Sequence, residues 1–431
     1  MDNLSTPTPT ARTAFAASLF DGGLPTDWAI GVMDDVLSGT EYGLSEPGGS
    51  AGDTSIVGMR DLVDGVVRFE ELATVDSGGT DWSAFRLRRG DILLNRTNSP
   101  DLVGKVGYVR EDFDAVFASY LVRLHVDPQR ADAEYVAAWL TSDIAQRALK
   151  RLSTRGVSQA NINPTEFRRH CPIPIPPLPE QRKIAEILRT WDQALEKLTA
   201  LRALNIRRRV WFRTHLFTGK VRLPGFTGEW RVVPLSEVLH EHGSKSTGAE
   251  EVYSVSVHKG LVNQVEHLGR SFSAANTDHY NRVLPGDIVY TKSPTGDFPL
   301  GIIKQSKIDR QVIVSPLYGV FTPQTYALGV ILDALFESPL AARNYLHPLV
   351  QKGAKNTIAV TNSQFLEGKL RLPMDPAEQA AIADIVNASH AECAGIDAEI
   401  EALTRQKRGL MQKLLTGEWR VATTEATEGT R

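Results

Sequence analysis

The feature that most constrains this chain is that it is written twice. Leu178-Pro179-Glu180-Gln181 opens a helix-forming stretch that ends Leu216-Phe217-Thr218-Gly219, and Pro376-Ala377-Glu378-Gln379 opens another that ends Leu414-Leu415-Thr416-Gly417. Glu180 and Glu378 are 198 residues apart, as are Thr218 and Thr416, so the two stretches align without a gap. Phe167 and Phe365 keep that offset. Further upstream, Arg89-Gly90-Asp91-Ile92-Leu93 matches Pro285-Gly286-Asp287-Ile288-Val289 at offset 196, and Trp28 with Asp35-Val36-Leu37 matches Trp230 with Glu237-Val238-Leu239 at offset 202. The drift places insertions and deletions in the globular parts and none in the helices. Gly417-Glu418-Trp419-Arg420-Val421 repeats Gly228-Glu229-Trp230-Arg231-Val232, as though a third globular unit were opening. That suits a pseudo-two-fold arrangement in which the tail returns beside the first globular part.

Each globular part reads as mixed helix and strand. In the first, Ile92-Leu93-Leu94 is strand-like and stops at the polar turn Arg96-Thr97-Asn98-Ser99-Pro100, Val103 to Val109 is a further apolar stretch, and Ser119 to Leu124 alternates like a half-buried strand. Glu134 to Leu152 is predicted as one helix, with Gly156 as its C-terminal cap. The second part repeats the plan with Ile288-Val289-Tyr290, the turn Lys292 to Gly296, a helix from about Gly329 to Tyr345, and the loop Lys352 to Asn356. Both then enter a hinge. Residues 172–179 hold five prolines in eight positions and must be extended, because proline blocks helix propagation and restricts its predecessor.

Glu180 to Phe217 holds 38 residues, about 57 Å of helix. Ile184, Ile187, Trp191, Ala194, Leu198 and Leu201 follow 3-4 spacing, as do Ile382, Ile385, Ser389, Ile396, Leu403, Leu410 and Leu414 in the second copy. Since each half supplies one helix, the simplest assembly pairs them antiparallel. The predicted fold class is α+β: two mixed α/β domains separated by two long antiparallel coiled-coil helices, as a pseudo-two-fold internal repeat. The predicted boundaries are a flexible tail 1–20, a domain 21–178, a helix 179–219, a domain 220–376, a helix 377–417 and a returning tail 418–431.

Catalytic signatures are missing. A GxxxxGK[ST] loop would need glycine at position 99, where serine stands. His240-Glu241-His242 lacks the spacing that sets two histidines on one helix face for zinc. Asn163-Pro164-Thr165 lacks the second proline and aromatic of an adenine methyltransferase, and Pro100-Asp101 and Glu367-Gly368-Lys369, nuclease-like fragments, lie in different halves. The expectation is no catalytic residue, no bound metal and no cofactor in this chain. No apolar run reaches the ~20 residues of a membrane helix. The two cysteines, Cys171 and Cys393, have no metal-site spacing, which suits a reducing cytoplasm.

What remains is polar and basic chemistry suited to DNA, which is read by Arg, Lys, Asn, Gln, Ser and Thr. The candidates are Arg96, Thr97, Asn98, Lys105, Arg155, Ser158, Gln159 and Asn161 in the first half, and Lys292, Ser293, Lys352, Lys355, Asn356 and Asn362 in the second. Residues 180–222 carry net charge +7, against −7 for residues 1–179. Their arginines, Arg202, Arg207, Arg208, Arg209 and Arg213, are assigned to partner docking, because three adjacent arginines diverge by ~100° per step and cannot all face one DNA backbone.

The order Gly-Asp-Ile-Leu, basic turn, Gly-Lys-Val-Gly, helix, Gly-containing loop, then Ile175-Pro176-Pro177-Leu178-Pro179-Glu180-Gln181-Arg182-Lys183-Ile184, written twice, resembles the specificity subunits of type I restriction–modification enzymes. The resemblance implies two target-recognition domains, each reading half of a split double-stranded DNA site, with the helices as a ruler between them. It implies docking of two adenine-methylating modification subunits and of ATP-dependent restriction subunits, which would use S-adenosylmethionine, ATP and magnesium. The alternatives are a coiled-coil scaffold with two ligand-binding heads and no DNA role, and a stand-alone nuclease or methyltransferase.

If the helices set the spacing, a four-residue insertion near Thr218 adds ~6 Å of helix against ~3.4 Å per base pair. The preferred spacer should lengthen by about one or two base pairs, with both half-sites unchanged. Mapping methylated sites for the variant checks this, and an unaltered spacer would rule the ruler out.

Overall fold

A computed structural model describes residues 23–422, apart from Pro47, Ser50, Val157, 269–276 and 353–357. The chain divides into two compact units, Met1–Lys197 with Ile400–Arg431, and Leu198–Glu399. The division falls inside the long helices, so each unit owns the start of one helix and the end of the other.

In the first unit the duplicated Gly-Asp-Ile motif feeds the strand Ile92–Asn95, which lies between Leu121–Val126 and Val106–Tyr108 in a six-stranded mixed sheet. In the second unit its counterpart Ile288–Tyr290 lies between Gly319–Pro323 and Ile303–Gln305 in a four-stranded antiparallel sheet. Every residue of both strands is buried, as near-continuous apolar runs demand.

The predicted single helices are each broken in two by a serine. Ala133–Thr141 and Asp143–Leu152 meet at Ser142, whose extended backbone ends one helix while its hydroxyl accepts from Ala145 N–H and caps the next. Tyr326–Phe336 and Pro339–Leu346 meet the same way near Ser338, which accepts from Ala341 N–H. Gly156 is not a helix cap. Its N–H donates to Gln159 O across the hairpin that joins Thr154–Arg155 to Ala160–Asn161.

The proline-rich hinge is extended only as far as Pro177, with a strand at its start; Leu178 and Pro179, expected to be extended too, open the long helix, where a first-turn proline loses no hydrogen bond. Pro172–Ile175 pairs antiparallel with Ala29–Val32. On its other edge the carbonyls of Pro172 and Pro174 accept from the buried Trp139 indole (2.7 Å) and Tyr135 hydroxyl (3.0 Å). Proline suits such a strand because it asks for no donor partner of its own. Lys369–Pro373 pairs with Trp230–Pro234 in the second unit.

The long helices are Leu178–Trp211, prolonged by a π-helical turn Phe212–Leu216, and Pro376–Leu415. Within the first unit Ile184 and Leu188 share a core with Leu414 and Leu415, and Lys407 pairs with Asp192. Within the second, Arg202 pairs with Asp397 and Arg208 with Glu392. Both sets of partners run antiparallel. The expected apolar seam is only partly used. Ile184, Ile382, Ile396 and Leu414 are buried, but Leu201 is 43% exposed and Asn205 turns inward instead, donating to Glu392. A 3.6-residue helix drifts out of a strict heptad in this way.

The Glu-Gln dipeptide opening each helix is an anchor. Gln181 accepts from Asp132 N–H and donates to Pro176 O, and Gln379 accepts from the Thr325 hydroxyl and donates to Pro373 O. The adjacent carboxylates are buried and clasped by arginine. Arg222 holds Glu378 through two bonds of 2.6 and 2.7 Å, with its guanidinium 5.6 Å from the Trp230 ring. Arg420 holds Glu180 through bonds of 2.8 and 2.9 Å, 5.8 Å from the Trp28 ring, and also pairs with Asp27. The tail fragment around Trp419 is thus the counterpart of residues 219–223, not the opening of a third domain. Arg420 stands 198 residues after Arg222, and Trp419 is exposed where Trp28 and Trp230 are buried. Gly219 and Gly417 make the turn into each clasp with φ of 68° and 71°. An added Cβ would lie 3.1 Å from the Trp230 ring at the first and 2.5 Å from Pro25 at the second.

Removing one partner of a buried ion pair strands the other charge, at a cost of about 3–5 kcal/mol. Arg222→Ala should therefore destabilise the second unit by about that amount, and adding Glu378→Gln should recover much of it. Denaturant unfolding of both variants, followed by Trp230 fluorescence, measures the difference.

Candidate nucleic-acid interface

The polar turn and the post-helix loop of the first half, far apart in sequence, form one small sheet. Thr97–Asn98 pairs antiparallel with Ala160–Asn161, which pairs with Thr154–Arg155. Beyond Asn95 the chain leaves the large sheet at Arg96, whose N–H donates to Tyr120 O and whose carbonyl accepts from Ile162 N–H. Ser158 and Gln159 are exposed beside the hairpin turn. Lys105 is exposed, and its carbonyl accepts from Asn95 N–H, which sets it next to the same strand end. The Arg96 guanidinium lies 5.0 Å from the Tyr42 ring and donates to Asn161 Oδ1 at 3.4 Å. The structure thus gathers Arg96, Thr97, Asn98, Lys105, Ser158, Gln159, Asn161 and the backbone of Arg155 at one edge. Tyr42 completes the group and was missed by the sequence reading. Its only sequence signal is an aromatic residue ending an alternating strand.

The second half is less complete. Lys292 sits at a left-handed φ of 59°. Burial lowers its ammonium pKa, and the nearby Glu241 carboxylate acts against that. Glu241 accepts a hydrogen bond from Asn362, so Lys292 and Asn362 share a neighbourhood, and Ser293 beside them is exposed. Lys352 lies in a short hairpin, Gln351–Lys352 with Ile358–Ala359. Lys355 and Asn356 fall outside the described residues. Among the described residues no strand pairs the Lys292 turn with that hairpin.

The arginines assigned to partner docking are mostly engaged within the chain. Arg202 pairs with Asp397, Arg208 with Glu392, and Arg209 and Arg213 with Glu337. The divergence of adjacent side chains is real, but the faces they reach carry carboxylates of the second helix and of residues 326–337. Arg202, Arg207 and Arg208 are exposed, and of the five arginines Arg207 is the one with no ion pair among the described residues. Arg209, Arg213 and Glu337 line a small cavity with Phe212, Ser389 and His390. Burial alone would raise the Glu337 pKa, but the hydrogen bond from His390 and the charges of Arg209 and Lys304 outweigh it and hold the carboxyl down at about 2.

Among the described residues no helix is long and apolar enough to cross a membrane, and both cysteines are buried and unbridged.

Two α+β units, each joined to the start of one long helix and the end of another, with a basic and amide-rich sheet edge in the first, define a two-unit protein with a repeated plan. Residues 51–205 match the family model described as type I restriction modification DNA specificity domain. The chain is similar to the putative type I restriction enzyme MjaX specificity subunit of Methanocaldococcus jannaschii, with 24% identity over 428 residues, 93% of this chain and 96% of that one. It is similar to the type I restriction enzyme EcoBI specificity subunit of Escherichia coli, with 23% identity over 182 residues, 40% of this chain and 37% of that one. The solved type-I restriction-modification S subunit from M. genitalium shares the fold, with a TM-score of 0.57 at 15% identity over 90% of this chain and 96% of that one. The match over residues 51–205 and the likeness along the whole chain agree with the resemblance read from the motifs: the chain is similar to type I restriction enzyme specificity subunits.

A carboxyl whose pKa falls on folding adds stability that is complete above its unfolded value and is lost as pH drops through the folded one. For Glu337 that window runs from about 4.5 down to about 2. Glu337→Gln should lower the Tm at pH 7, and the deficit should shrink steadily below pH 4.5. Thermal melts of both proteins across that range check the sign.

Proposed function

We propose that this chain is the DNA-sequence specificity subunit of a type I restriction–modification complex. Each unit reads one half of a bipartite, asymmetric duplex site, and partner subunits carry out adenine methylation and restriction. The observation that carries this reading is the convergence of Arg96, Thr97, Asn98 and Asn161 on one sheet edge, inside the segment that matches the specificity-domain family. Those side chains are the types that bond base edges and phosphates. The asymmetry follows from the difference between the units: Arg96 stands on an aromatic ring, and Lys292, 196 residues later, stands near a carboxylate.

In this reading the chain performs no chemistry. Two modification subunits would bring S-adenosylmethionine, and restriction subunits would bring ATP and magnesium. A docking face is available on the first long helix, where Leu201, Leu204, Val210 and Trp211 are 43%, 58%, 44% and 44% exposed beside Arg207. Exposed apolar side chains at helical spacing suit a protein partner better than a phosphate backbone.

The test is reconstitution with modification subunits, followed by competition binding on duplex libraries and mapping of methylated sites. The expected result is one split, non-palindromic motif methylated by the complex and by neither component alone. Absence of sequence-selective duplex binding by the assembled complex would overturn the reading. Leu204→Glu with Trp211→Glu should weaken assembly about tenfold or more in sedimentation, and Arg208→Ala should act mainly on thermal stability.

A further inference from the structure

Arg96 differs from the other half-buried arginines of its unit. Arg68, Arg86, Arg110, Arg168 and Arg189 each have a carboxylate within ion-pair distance, as does the fully buried Arg123. Among the described side chains of the unit, Arg96 is the half-buried arginine without one. Its guanidinium is held by neutral groups, the Tyr42 ring face at 5.0 Å and Asn161 Oδ1 at 3.4 Å, and its buried Nε has no partner. Its backbone is pinned at both ends, by Tyr120 O and by Ile162 N–H. The site thus holds a planar cation in a fixed orientation, leaves its charge uncompensated, and sets it at a polar sheet edge.

Resting on the DNA reading above, we propose that Arg96 reads a guanine in the first half-site, with Tyr42 and Asn161 as the positioning residues that set its plane. Stacking on Tyr42 and the bond from Nη2 to Asn161 leave the Nη1 edge of the fork and the second Nη2 hydrogen for a ligand. A guanidinium fork presented end-on fits the paired O6 and N7 acceptors of guanine in the major groove. The same fork can also span two phosphate oxygens, and the two contacts differ in that only the base contact depends on sequence. Lys292, which occupies the corresponding place in the second unit, carries no fork, so the second half-site is not read by this device.

The experiment uses the assembled complex and first maps the wild-type motif, which tests the DNA reading independently. Given a split motif, Arg96→Lys and Arg96→Ala should relax one guanine in one half-site only. Discrimination at that position should fall by roughly 5- to 150-fold, the range for a bidentate base contact. Tyr42→Phe should keep the motif, while Tyr42→Ala and Asn161→Ala should relax the same guanine. A purely structural role for Tyr42 would lower the melting temperature without altering the motif. The proposal fails if the Arg96 variants bind more weakly at every sequence, with a salt slope reduced by about one and the motif intact, since that is the signature of a phosphate contact. It also fails if the wild-type motif has no guanine in the affected half-site.

Discussion

Two buried carboxylates, Glu180 and Glu378, hold the architecture together. Each sits in the first turn of a long helix, almost wholly removed from water, where a lone charge would be intolerable. Arg420 and Arg222 neutralise them, and the tryptophan at the head of each globular part lies against the arginine. One interaction therefore fixes three things in each unit: where a helix starts, where the other helix ends, and where the globular chain begins. The adjacent Gln181 and Gln379 add the link to the proline-rich strand. The two clasps differ in detail. Trp28 donates to Glu180, whereas the Trp230 indole N–H is buried without a partner.

Much of this was legible because duplication makes distance along the chain informative. A gapless offset of 198 residues between the helices announced equal lengths, and the Pro-Glu-Gln opening marked their starts. The basic turn and the post-helix loop were picked out by residue type. Their meeting in one sheet could not be, because the pairing of Thr97 with Asn161 spans 64 positions and depends on how the intervening helices fold back. The serine breaks at Ser142 and Ser338 were hidden within apolar periodicity that continues through them. Three-residue local capping competes with helix propagation on nearly equal terms there, and hydrophobic spacing does not register the outcome.

The arginine-rich helix shows the opposite failure. Net charge in a segment says how many cations it holds and nothing about who answers them. The acidic residues that face Arg202, Arg208 and Arg209 lie between 128 and 195 positions away. A cluster that reads as an external docking patch is largely an internal seam. Arg96, in the polar turn of the first unit, is the half-buried arginine there whose charge no described carboxylate answers. For a recognition protein the informative cation is the one the fold orients and then fails to neutralise.

The clasp on Glu180 also sets an order of events during synthesis. Arg222 precedes its carboxylate by 156 residues, so the second unit has its cation in hand when Glu378 emerges. Arg420 follows Glu180 by 240 residues. A nascent chain must carry the first unit with an unanswered carboxylate through most of translation, and contacts of such long separation form late. The first unit can close only after the whole repeat has been made. A product that stopped short of Arg420 would leave Glu180 a buried carboxylate without its cation, and its first unit correspondingly easier to open.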